Sequence, residues 1–189
     1  MKAVWWITGG AIALAGILLT GCMLRKKPEN TDAIDGGVRH YTDENAPKTV
    51  ESCEITSFSC RFETGSPDEN GLDPRVRHYA FTAQKSGDAV LVTVDAVTFD
   101  STGEKYEYQA PLSFLADLHR IVKENDLAAQ NGIFYSVSGL PPLLGAALDI
   151  TYASGETLCC ANNQSCFLPD AAMQSLESLF CRYAERTDK

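Results

Sequence analysis

Between residues 76 and 109 apolar and polar side chains alternate along three successive runs, and each reversal of direction carries a glycine. A period of two puts every second side chain on one face. Such a segment has one dry and one wet face and is satisfied by antiparallel β-structure. The runs are residues 76–84, 89–99 and 105–109, separated by Lys85-Ser86-Gly87-Asp88 and by Ser101-Thr102-Gly103. Leu91, Val92, Val94 and Val97 supply β-favouring bulk to the middle run, and Tyr106 and Tyr108 alternate in the last. Ile55 and residues 58–62 predict one further strand ahead of them, completing a meander.

The periodicity then changes. Pro111 stands where the first turn of a helix tolerates proline, and Phe114, Leu115, Leu118, Ile121 and Val122 share one face at about 100° per residue. Asp117, Arg120, Lys123 and Glu124 fall opposite. Residues 133–137, 146–152 and 156–161 read as three more strands, with Ser154-Gly155 turning the last two into a hairpin. A second helix opens at Pro169-Asp170 and turns Ala172, Met173, Leu176, Leu179, Phe180 and Tyr183 inward. The predicted fold is α+β, an antiparallel sheet of about seven strands in the order β-β-β-β-α-β-β-β-α, with two helices packed on one face.

The N-terminus has another character. Lys2 precedes an apolar run at residues 3–19, broken by Thr8 and three glycines and ending in Leu19-Thr20-Gly21-Cys22. The plan is that of a secretory signal. The four-residue exit resembles the lipobox of bacterial lipoproteins. The resemblance implies removal of residues 1–21 as a signal peptide, a diacylglyceryl thioether (and palmitate) on Cys22, and a mature chain anchored by lipid to the extracytoplasmic face of the cell membrane. Two or more acyl chains hold a protein at a surface without a spanning helix. A competing expectation keeps residues 3–24 as a membrane span, with Arg25-Lys26-Lys27 on the cytoplasmic side. Residues 22–50 are polar and punctuated by Pro28, Gly36-Gly37 and Pro47, which predicts a flexible tether leading to a single folded domain at residues 51–189.

The chain carries a formal net charge of −9, and Lys2 lies in the segment expected to be removed. An acidic chain without a basic stripe does not suit nucleic acid, whose binding rests on neutralising phosphates. With Cys22 assigned to lipid, six of the seven cysteines remain, namely Cys53, Cys60, Cys159, Cys160, Cys166 and Cys181. In an exported domain an even number permits three disulfides, with the connectivity open. Cys181 falls about 150° from the inward stripe of its helix, which predicts a bridge to a crossing segment such as that of Cys53 or Cys60. Cys160 shares parity with Leu158 and should face in, leaving Cys159 outward.

Motifs for catalysis or metals are missing. The cysteines lack the close pairing of structural zinc knuckles, and His40, His78 and His119 are expected to be solvated. The acidic turn around Gly71 fails the calcium-loop pattern, because Ser66 and Arg77 stand where an Asp and a bidentate Glu are wanted. No nucleophile elbow, phosphate loop or HExxH occurs. Residues 139–144 form an apolar, proline-stiffened loop expected to pack inward.

Gly139-Leu140-Pro141-Pro142, Tyr152-Ala153-Ser154-Gly155-Glu156, Asn162-Asn163-Gln164 and Phe167-Leu168-Pro169 resemble the C-terminal part of uncharacterised extracytoplasmic lipoproteins of Gram-positive anaerobic bacteria. That resemblance implies a location and no activity. The expectation is a non-enzymatic binding or interaction module, without cofactor or metal, that meets the membrane through Cys22 and takes a protein, peptide or envelope-polymer ligand. The alternative is a small envelope hydrolase using dispersed acids with His78 or His119.

Overall fold

A computed structural model describes residues 37–65, 71–138 and 145–187. The lipobox, the apolar run before it and the loop at residues 139–144 lie outside the described residues. In chain order the strands are β1 (Val38–Thr42), β2 (Ile55–Glu63), β3 (Val76–Ser86), β4 (Ala89–Thr98) and β5 (Gly103–Pro111). Helix α1 (Ser113–Glu124) and a 3-10 turn (Leu127–Gln130) follow, then β6 (Ile133–Val137), β7 (Ala146–Tyr152), β8 (Thr157–Asn162) and α2 (Asp170–Thr187).

All eight strands join one sheet in the order β1-β6-β8-β7-β2-β3-β4-β5. The α+β class and the predicted element order hold, with three corrections. First, the polar segment expected as tether contributes β1, which pairs antiparallel with β6 from Val38↔Val137 to Thr42↔Ile133. Second, β6 and β8 run parallel, through Phe134↔Ala161 and Tyr135↔Asn162. Third, Pro111 does not open α1; it closes β5 opposite Ala89, and Leu112 precedes the helix. Proline is at home on an edge strand, where its missing N–H leaves no ladder bond unmade.

Polar bonds explain why part of the expected tether is ordered. Asn131 is buried. Its Nδ2 donates to the carbonyls of Pro47 (2.9 Å) and Thr157 (3.0 Å), while its Oδ1 accepts the N–H of Cys159 at 2.8 Å. Lys48 Nζ donates to the Asn131 carbonyl. The Glu156 carboxylate accepts the N–H groups of Glu51 and Ser52, each at 3.0 Å, and these bonds hold its pKa below the usual value.

The core lies between one sheet face and the two helices. Phe81 stacks on Phe180 of α2 with centroids 4.5 Å apart, and Phe114 of α1 meets Phe180 edge-on at 5.0 Å. The Phe180 ring thus ties both helices to the sheet. Tyr108 donates its hydroxyl to the Phe180 carbonyl at 2.6 Å, and Tyr79 donates to Glu177 Oε1 at 2.5 Å, so these two core tyrosines have partnered hydroxyls, whereas the buried Tyr152 hydroxyl has none. The predicted inward stripe at Phe114, Leu115, Leu118, Ile121 and Val122 is buried as expected.

Candidate functional site

Because both helices occupy one face, the alternate residues of each strand point the other way. Among the described residues no helix packs on that second face. Its central row runs across the sheet as Glu107, Thr93, Thr82, Ser59, Asp149 and Cys159, each opposite the next in register. A parallel row carries Gln109, Leu91, Gln84, Ser57, Thr151 and Thr157. Ser and Thr make up half of each row, and most of the positions are half-buried. A hydroxyl offers one donor and two acceptor sites, so the face is a broad field of short groups able to meet hydrogen-bonding partners of either kind.

One ionisable cluster sits at the end of this face. Glu63 closes β2, and the register brings it opposite His78 of β3. Glu63 Oε1 lies 3.2 Å from His78 Nδ1, and Oε2 lies 3.3 Å from Arg77 Nε. The side chains of Glu63 and His78 are only 15% and 25% exposed, so the expectation that His78 is solvated is corrected. Neither His78 Nδ1 nor Glu63 Oε2 makes a hydrogen bond, so the three groups are joined by charge proximity and the carboxylate does not fix the imidazole's orientation. Neither Ser nor Cys flanks His78 in the register, where its neighbours are Glu63 and Val97. Sequence periodicity missed Glu63 because the pairing needs the β2–β3 register; its only signal was a position beside the turn that also precedes His78.

His119 departs from expectation too. Its Nδ1 is buried without a hydrogen-bond partner, and the ring stands edge-on to Tyr152 at 6.2 Å. Burial, helped by Lys123, lowers its pKa. Burial likewise raises the pKa of Tyr152 to about 12. His40 lies on exposed β1, beside the Tyr135 ring.

The cysteines are dispersed. Cys53, Cys60, Cys160 and Cys166 are free thiols in this structure, so the bridge expected from Cys181 to Cys53 or Cys60 is not formed in it. Cys160 is buried, as its parity predicted, while Cys159 takes the other face and is half-buried. Cys60 and Cys160 flank Leu148 in one row of the core face, two strands apart, which is beyond disulfide reach. Cys166 Sγ lies 3.7 Å from Met173 Sδ. Burial pushes the Cys160 thiol up to about 12 and Cys60 well above its ordinary value. Cys181 is half-buried near Tyr79 and Tyr108. Among the described residues no three His, Cys, Asp or Glu side chains converge on a metal position, and no helix is long and apolar enough to cross a membrane.

Comparison of the chain with protein-family models, curated proteins and solved structures found no match.

Proposed function

We propose that this protein is exported, anchored by lipid on Cys22 at the extracytoplasmic face of the cell membrane, and acts as a non-enzymatic module that binds an envelope polymer. The observation that carries the binding role is the hydroxyl-rich sheet face centred on Ser59, Thr82 and Thr93. Flat arrays of short donors and acceptors suit an extended ligand bearing hydroxyl and amide groups. The net charge of −9 disfavours a polyanion and leaves neutral or basic polymers. The lipid reading is supported by the order and placement of Leu19-Thr20-Gly21-Cys22.

Two measurements test this. Mass spectrometry of the N-terminal peptide from membranes should find acylated Cys22, and an unmodified peptide spanning residues 1–24 would remove the anchor. Full-length protein in detergent should co-sediment with isolated cell-wall polymer, and Thr82→Arg should abolish this while the circular dichroism stays unchanged. No co-sedimentation of the wild type would remove the ligand class. The Glu63–His78 contact favours one other reading, a small hydrolase. That reading requires release of soluble fragments from the same polymer, lost in Glu63→Gln.

A further inference from the structure

β5 ends the sheet, and among the described residues it has a strand neighbour, β4, on one side only. In an antiparallel ladder, positions that exchange hydrogen bonds with one neighbour alternate with positions whose N–H and C=O point the other way. The β4–β5 turn sets the phase here, because Thr98 N donates to the Thr102 carbonyl at 2.8 Å. Counting in twos from that pair along the register, Glu104, Tyr106 and Tyr108 turn their backbone groups toward β4. Gly103, Lys105, Glu107 and Gln109 turn theirs outward. The next outward position is Pro111, which has no N–H to offer.

The outward set is therefore bounded and symmetric about Tyr106. An antiparallel partner strand related by a two-fold axis at Tyr106 uses all four outward positions, Lys105 facing Glu107 of the other copy and Gly103 facing Gln109. A two-fold at Lys105 would oppose Lys to Lys, and one at Glu107 would oppose Glu to Glu. Charges on edge strands commonly prevent pairing. Here they select a single register, since both signs are present and each meets its opposite. Tyr106, 39% exposed, then meets its own copy as a non-hydrogen-bonded pair, the arrangement that brings side chains closest.

We propose that β5 is a self-association edge, pairing antiparallel with β5 of a second copy about a two-fold axis at Tyr106, so that two sheets become one. The inference is independent of the ligand and of the lipid.

The test uses the full-length chain in detergent. Tyr106→Cys should form an intermolecular disulfide on mild oxidation, since residues facing each other at such a site have Cα atoms about 4.5 Å apart, within disulfide range. Gln109→Cys should not, because the axis separates the two copies of that position. Wild-type protein sets the background from the native thiols. Lys105→Glu and Glu107→Lys should each weaken self-association in sedimentation by about tenfold, through two mispaired contacts per dimer. The double variant restores opposite charges and should recover wild-type affinity. A wild type that stays monomeric at every concentration overturns the proposal. So does efficient cross-linking at Gln109→Cys, or a folded double variant as weak as the single ones.

Discussion

A β-carbon added at Gly132 would stand 2.5 Å from the Cβ of Ala46 and 2.9 Å from the Asp43 carbonyl oxygen. The glycine also has φ +77°, a conformation that side chains resist. Its carbonyl accepts the N–H of Asp43 at 2.8 Å, and its own N–H donates to Cys159 at 2.8 Å, so the close approach joins the 43–48 segment to β8. Gly132→Ala is expected to cost about 2–3 kcal/mol in urea unfolding. Adding Ala46→Gly should recover only the part due to the Ala46 contact, leaving the overlap with Asp43 and the φ penalty.

Phe180 ties α1, α2 and the sheet together through Phe114, Phe81 and Phe58. Phe180→Ala should destabilise by about 3–5 kcal/mol in the same assay. Phe99, 47% exposed, is the control, and Phe99→Ala should change stability by less than about 0.5 kcal/mol. Equal effects at the two positions would contradict the described core.

Much of this fold was legible in the sequence, for a physical reason. β2, β3, β4, β7 and β8 each bury one face, so their alternation is written in side-chain type. β1 escaped because all five of its residues are exposed, and it is positioned by bonds from Asn131 and Gly132 nearby, not by burial. β6 is half-buried throughout, and nothing in such a pattern announces a parallel neighbour. Pro111 satisfies both a helix start and an edge strand, and local rules do not separate the two. The Glu63–His78 pair needed a register between strands, which composition does not contain.

His119 supplies a pH dependence. Its folded pKa lies below the ordinary histidine value because burial disfavours the charged form. A depressed folded pKa means that the contribution is intact above the unfolded value, about 6.5, and declines as pH falls through the folded one. Wild-type stability in urea should therefore fall between pH 7.5 and pH 5 more than that of His119→Phe. Parallel pH profiles for the two proteins would refute the assignment.

Thiol reactivity should follow burial. Cys53 is exposed, while Cys60 and Cys160 are buried with thiols held protonated. Iodoacetamide at pH 8, read by peptide mass spectrometry, should label Cys53 first and reach Cys60 and Cys160 only in denaturant. If Cys53 from native membranes reacts only after reduction, it carries a disulfide there that the structure does not contain.

The pairing of Val38 with Val137 has a kinetic consequence. β2 through β5 and α1 are neighbours in sequence, and their contacts close short loops, which cost little entropy and form early. β1 has no partner until β6 has emerged, and β6 in turn rests on β8. A chain synthesised from its N-terminus thus makes β1 before the other described strands and places it among the last, so residues 38–42 must wait for most of the protein to arrive before they pair.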